Sequence, residues 1–375
     1  MISLQLSGEQ FPVSATFVHF LDALTGQSFL KNADEFQWGD QVTERMRAGQ
    51  RNTPAFRKAV IEAGREAWQT PIGRGMIERA YGIFLALLQG DARFLGNLQS
   101  RNRFIFVTSF PRSGGSYLTK GLFRAIGKTH DDFPSWFAHD GFPNGMDGWY
   151  TEDGMDLSPM VRTTIQQTAE WIAMADWYFR EDGPKEGLRT IPKKATKMVY
   201  NGWFFRETFG PATEWVVPVR HPAAACRSLV DKAGGMTEHG LFPEHPRSTI
   251  EQWVLDAWKT DGISETEVAR MPYFTAFLHY WKRYHQVLVT RGLASGNRRL
   301  RVLAYGREDF ESYLQEQSAR FASPLPVEPM HIGKSARETH PEWVREAEET
   351  LYRVRDLWAD YGVRMPLDKI AGGAE

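Results

Sequence analysis

Phe104-Ile105-Phe106-Val107-Thr108-Ser109-Phe110-Pro111-Arg112-Ser113-Gly114-Gly115-Ser116-Tyr117 is the stretch around which the rest of the chain is read. The apolar run Phe104 to Val107 predicts a buried strand, and Leu118 to Ile126 predicts a helix. A strand, a tight loop with paired glycines and a helix start together have the geometry of an anion cradle. Glycines let backbone approach a ligand closely. A helix start offers unpaired N–H groups and the positive end of its dipole. Arg112 adds a permanent charge on a forked set of donors, and Ser113 and Ser116 add hydroxyls. Taken alone, the same stretch also reads as an ordinary strand–turn–helix connection with an exposed arginine. It is not a nucleotide loop of the G-x-x-x-x-G-K-[ST] kind, because the basic residue precedes the glycines.

The chain around it has 375 residues, room for one large domain or two ordinary ones. Hydrophobic residues make up 42% and charged residues 24%, the proportions of a soluble globular protein with a sizeable core. A formal net charge of -1 gives no global attraction to nucleic acid or to an anionic membrane, though it leaves room for a local basic pocket. Cys226 is the single cysteine, which excludes an intramolecular disulfide framework and a cysteine-rich zinc site. Met1-Ile2-Ser3-Leu4-Gln5 lacks the basic and apolar regions of a signal peptide, and Ile83 to Leu88, the longest apolar run, is too short to span a bilayer. A cytoplasmic enzyme is the expectation. The many aromatics fit either a large core or an apolar substrate cleft.

Residues 1–100 read as a helical N-terminal extension, and 101–375 as the α/β domain. Thr53-Pro54 is a helix start with Thr as cap, and a second helix is expected from Arg74 to Leu88, ending near Gly90. Gly127 to Gly154 reads as an irregular loop. It carries His130, Asp131, Asp132, His139 and Asp140. Helix is expected again from Ser158 to Arg180. Thr196-Lys197-Met198-Val199-Tyr200 reads as a short strand, preceded by the basic Lys193-Lys194. Trp215-Val216-Val217-Pro218-Val219 reads as a second buried strand, with Pro218 arguing against a fully paired position. Ser248-Thr249-Ile250-Glu251 is a capping box, Pro272 to Thr290 a long amphipathic helix, and Arg299 to Tyr305 a third strand. Helices near Asp309 to Phe321 and from Pro341 to Tyr361 complete the pattern. Strands alternating with helices predict an α/β fold with a mainly parallel central sheet flanked by helices.

Two stretches resemble one family. Ser109 to Leu118 resembles the 5′-phosphosulfate loop of the sulfotransferases that use 3′-phosphoadenosine 5′-phosphosulfate (PAPS). Val217-Pro218-Val219-Arg220-His221-Pro222-Ala223-Ala224-Ala225-Cys226-Arg227-Ser228 resembles their 3′-phosphate motif, a strand ending in Arg with Ser eight residues on. Val302 to Phe310, with Tyr305 and Glu308-Asp309, and Ile332-Gly333-Lys334-Ser335 are weaker matches to two further segments. The resemblance covers roughly residues 101–360. It implies the P-loop-like sulfotransferase variant of the nucleoside triphosphate hydrolase fold, with PAPS as co-substrate, adenosine 3′,5′-bisphosphate as product and no metal.

By that resemblance Arg112 contacts the phosphosulfate, standing where cytosolic members have Lys. Ser113, Gly114, Gly115 and Ser116 cradle the 5′-phosphate, and Gly115 replaces a residue that commonly bears a hydroxyl. Tyr117 stacks on adenine or, alternatively, packs in the core. Arg220 and Ser228 clamp the 3′-phosphate. Lys334 is a phosphate ligand or a solvated lysine. Lys197 fills the Lys position of the family's Lys-Thr-His segment, whose His is missing here. The general base is sought in the loop after the first helix, with Asp132 or Asp140 favoured. The acceptor is a small-molecule, lipid or carbohydrate hydroxyl or amine. A nucleotide-binding module without catalysis and a kinase-like phosphotransferase stand as alternatives, and the oligomeric state is not legible.

Overall fold

The computed structural model describes residues 13–30, 54–129, 132–138, 149–151, 154–156, 158–180, 188–232, 261–268, 270–331 and 341–372. In chain order the elements are α1 (Ala15–Thr25), α2 (Pro54–Gln69), α3 (Pro71–Gln89), α4 (Ala92–Arg101), β1 (Asn102–Val107), α5 (Gly115–Ala125) and α6 (Ser135–Ala138). A short antiparallel pair, β2 (Trp149–Thr151) and β3 (Gly154–Asp156), leads to α7 (Ser158–Tyr178). Then come β4 (Arg189–Lys194), a 3-10 turn (Thr196–Asn201), α8 (Gly202–Phe209), β5 (Glu214–Val219) and α9 (Pro222–Lys232). The rest is α10 (Glu265–Val268), α11 (Tyr273–Thr290), β6 (Leu300–Ala304), α12 (Arg307–Arg320), α13 (Pro341–Asp360) and α14 (Leu367–Gly372).

The central sheet is four-stranded and parallel, in the order β4-β1-β5-β6. The pleat sends alternate residues of β1 to opposite faces. Ile105 and Val107 meet Leu118 and Leu122 of α5 and Phe310 and Leu314 of α12. Phe104 and Phe106 meet Trp171 of α7 and Phe209 of α8, with ring centroids 4.7–5.9 Å apart. Helices therefore cover both faces, as a parallel sheet requires. The α/β expectation holds.

The N-terminal helices share the core on the second face. Buried Phe17, Phe20 and Leu21 of α1 and Ile77 and Ala80 of α3 belong to the same cluster as Trp171 and Phe104. Ser14 caps α1 by accepting from the Phe17 N–H at 3.1 Å. Its own N–H and hydroxyl donate to Glu170 of α7 at 3.0 and 2.5 Å. α3 starts at Pro71, earlier than expected, with Thr70 as its cap.

The expected strand over Thr196–Tyr200 is a correction: those residues form the 3-10 turn, and the strand is β4, just before it. Met198, Val199 and Tyr200 are apolar because they are buried on all sides, not because they alternate. β4 escapes an apolar reading because it is an edge strand holding Pro192 and two lysines. The Ala195 N–H donates to the Val107 carbonyl, so odd-numbered residues there face β1 and Pro192 faces the open edge. Pro218 is accommodated differently, in an interior strand. The Val216 carbonyl accepts from Thr108, so even-numbered residues of β5 face β1, and Pro218 lies past the last β1–β5 pair, Val107 with Val216. The capping box at Ser248 lies outside the described residues.

Candidate functional site

All four strands end on one side, and the connections that leave them converge there. The Phe110–Ser113 turn follows β1 and closes with Ser113 N–H donating to the Phe110 carbonyl at 3.2 Å. Pro111 takes its second position and Arg112, with φ 65°, its third, the pattern of a type II turn that ordinarily places Gly or Asn there. Phe110 anchors the turn, its buried ring 4.8 Å from Tyr280 and 5.7 Å from Tyr284 of α11. Arg112 is thus held outward on a strained backbone.

Gly114, with φ 83°, caps α5 and supplies no side chain to its first turn. The reason for Gly115 is spatial. A Cβ there would stand 2.1 Å from Ser109 Oγ and 3.0 Å from Lys194 Cε. The hydroxyl of Ser109 therefore fills the space a side chain at 115 would take. Thr108, Ser109 and Ser113 are wholly buried, and their hydroxyls have no hydrogen-bond partner among the described residues. Such groups are normally satisfied, and leaving one unpaired costs roughly 1–3 kcal/mol. Three in six residues, beside an uncapped helix start, is a cluster of donors fitted to an anion.

Arg220, at the end of β5, joins this loop. Its guanidinium donates to the Arg112 carbonyl at 2.9 Å, and its Cζ lies 4.4 Å from the centre of the Tyr305 ring at the end of β6. Arg112 Nε in turn donates to Ser228 Oγ on α9 at 2.9 Å. Among the described residues neither Arg112 nor Arg220 has a carboxylate partner. Burial lowers the Arg220 pKa, and the like charges of Arg112 and Arg227 act in the same direction. A cationic pair that is partly desolvated and has no carboxylate among the described residues is suited by its electrostatics to an anion.

The structure thus brings together Arg112, Ser113, Gly114, Gly115, Arg220 and Ser228. It also links the two clusters that the resemblance treats as separate phosphate clamps, since Arg112 reaches Ser228. Ser116 is exposed on the first turn of α5. Tyr117 is half-buried: its ring stacks on Phe310 with centroids 6.2 Å apart, and its hydroxyl donates to the Glu328 carbonyl at 2.6 Å. Burial, with Glu311 and Glu328 nearby, pushes that hydroxyl up to about 12, so it stays protonated. Lys197 sits on the 3-10 turn, three residues past the end of β4. Asp132 is exposed and closes its own loop, accepting from the Thr129 N–H at 2.9 Å. The Thr129 hydroxyl and N–H hold its carboxyl below the usual range. Asp140, His130, Asp131, His139 and Lys334 lie outside the described residues.

Lys194 and Ser109 also reach this loop and are not among the candidates read from the sequence. Lys193 and Lys194 alternate across β4. Lys193 is buried, with Nζ donating to the Phe137 carbonyl at 2.7 Å and lying 5.5 Å from the Trp171 ring. Lys194 points to the other face, toward the start of α5. The signal was the lysine pair itself, at the carboxyl end of a strand that its proline concealed.

No family model and no curated protein matches the chain. Among solved structures it is similar to a crystal structure of a sulfotransferase from Mycobacterium tuberculosis H37Rv, at 12% identity over 96% of this chain and 99% of that one, with a TM-score of 0.34.

Proposed function

We propose that the chain is a sulfotransferase that takes its sulfuryl group from PAPS and transfers it to a hydroxyl or amine of a small-molecule, lipid or carbohydrate acceptor. The observation that carries this reading is the meeting of Arg112, Arg220 and Ser228 at the ends of β1 and β5, without a carboxylate partner for either arginine among the described residues. The motif resemblance points to an anion that carries phosphates on the 3′ and 5′ positions of an adenosine's ribose. The buried hydroxyls of Ser109 and Ser113 and the open first turn of α5 suit the 5′ end. Ser109, two residues past β1, would supply the hydroxyl that the resembled family commonly carries at the position of Gly115.

PAPS would bring an activated sulfuryl group to this cradle. In the transfer, a bond forms from the acceptor oxygen or nitrogen to sulfur, and the bond from sulfur to the bridging oxygen breaks. Arg112, Lys194 and the first-turn N–H groups of α5 would stabilise the charge that collects on that oxygen. Arginine keeps its proton, so its part is electrostatic. The acceptor proton leaves to a base. Asp132 and Asp140 are the favoured candidates, of which Asp132 is weakened by its bonds to Thr129. Positioning and charge stabilisation do most of the work in such a transfer.

Calorimetric titration tests this reading. Adenosine 3′,5′-bisphosphate should bind wild type at one site, and Arg220→Ala should weaken it by about 10- to 100-fold, the worth of a charge-assisted contact. Preference for ATP with Mg²⁺ would turn the assignment to a kinase-like phosphotransferase. Bisphosphate binding without turnover on a broad acceptor panel would leave a nucleotide-binding module.

A further inference from the structure

A cavity of about 770 Å³ opens at the other end of the sheet, beside the first residues of β1 and β4. Six-residue strands at ~3.3 Å per residue put it some 20 Å from the arginine pair described above. Its apolar lining comes from Met76 of α3, Phe94 and Leu98 of α4, and Ile172 and Trp177 of α7. A cleft of this volume, apolar with a few charged groups, has the make-up of a small-molecule site.

The charged groups have one sign in excess. Among the described residues, Arg79, Arg101, Arg180 and Arg189 line the cavity against a single carboxylate, Asp176. Asp176 is already used twice: Arg189 donates to it at 2.9 Å and Arg79 at 2.5 Å. Arg189 is further fixed by Asn102 Oδ1 at 2.9 Å. Arg180 lies over the Trp177 ring at 3.7 Å and donates to the Trp177 carbonyl. Arg101, exposed at the end of α4, has no hydrogen-bond or ion-pair partner among the described residues. The result is an apolar trough with fixed cations on one side and an uncommitted guanidinium at its mouth.

We infer that this cavity binds a small amphiphilic anion, an apolar chain or ring bearing one carboxylate or sulfate head. The apolar body would lie along Met76, Phe94 and Leu98, and the head would be taken by Arg101 with Arg180. Arginine forks match a carboxylate or sulfate in two-point geometry, and an apolar body gains from leaving water in proportion to its buried area. A cation of the same chain length meets the uncommitted Arg101 guanidinium at the same place and is refused.

Titration of the full chain with decanoate, and separately with decyltrimethylammonium, tests the site. Decanoate should bind with one-site stoichiometry, and the cation at least tenfold more weakly. Arg101→Ala with Arg180→Ala should weaken decanoate at least tenfold while circular dichroism and Tm hold, since both side chains are exposed. Asn97→Trp, which narrows the mouth from the exposed side of α4, should weaken it independently. Arg220→Ala should leave decanoate binding unchanged, which separates this cavity from the nucleotide reading. Absent or many-site decanoate binding, equal affinity for the cation, or indifference to both sets of variants would overturn the assignment.

Discussion

Arg112 occupies backbone space that a glycine fills at lower cost. A left-handed non-glycine residue carries roughly 1–3 kcal/mol of strain, and such strain persists where the side chain has a task. The task here is double: the carbonyl receives Arg220 and the guanidinium reaches Ser228. Arg112→Gly therefore separates folding from function. Relief of strain, less the extra chain entropy of glycine at ~0.5–1 kcal/mol, should leave stability unchanged or raise it by up to about 2.5 kcal/mol. Affinity for adenosine 3′,5′-bisphosphate should fall by more than about tenfold. Denaturant melts beside calorimetry read both, and a variant that loses stability and keeps affinity would show the arginine to be structural. Much at this scale was legible in the sequence, because Arg112, Arg220 and Ser228 are permanent charges or donors at fixed distances from strand ends. The Ser109 hydroxyl was not legible, since its place depends on the side chain missing at Gly115, which lies on a different element.

Elements were legible where burial on both faces writes an apolar run. β1 and β5 read directly, and β6 reads through its flanking turns. β4 did not, because an edge strand tolerates a proline on its open side and can end in charges. Lys197, named from that reading, lies on the 3-10 turn, and the lysine side chain beside the α5 start is Lys194. The close contact between the segment after β1 and the start of α5 gives a prediction at this scale. Gly115→Ala would press its methyl on Ser109 Oγ, and overpacking of this kind costs about 1–3 kcal/mol. Adding Ser109→Ala should recover part of that loss, because the closest atom is gone. A double-mutant cycle measures the coupling, and two additive losses would place the strain elsewhere.

Across the whole molecule, the N-terminal helices are joined to the sheet's own layer of helices by a buried carboxylate. Among the described residues no helix is long and apolar enough to cross a membrane, and the apolar faces of α1 and α3 are spent on this common core. Sequence reading found helix in this region but not its anchor, because Ser14 and Glu170 are 156 positions apart. Burial raises Glu170 from its ordinary 4.5 to about 7, against the lowering effect of Ser14 and Gln166. Between those two values the folded chain keeps a proton that the unfolded chain has released. Its stability therefore rises as pH falls through about 7 toward 4.5, and above 7 the ionised carboxylate opposes folding by on the order of 3 kcal/mol. Glu170→Gln keeps an oxygen for the Ser14 N–H and removes the charge. Relative to wild type the variant should gain stability as pH rises from 5 to 8, by an amount of that order. A difference that stays constant over this range, in chemical denaturation at matched ionic strength, would mean that Glu170 titrates near its ordinary value and that the joint between the N-terminal helices and α7 is not proton-linked.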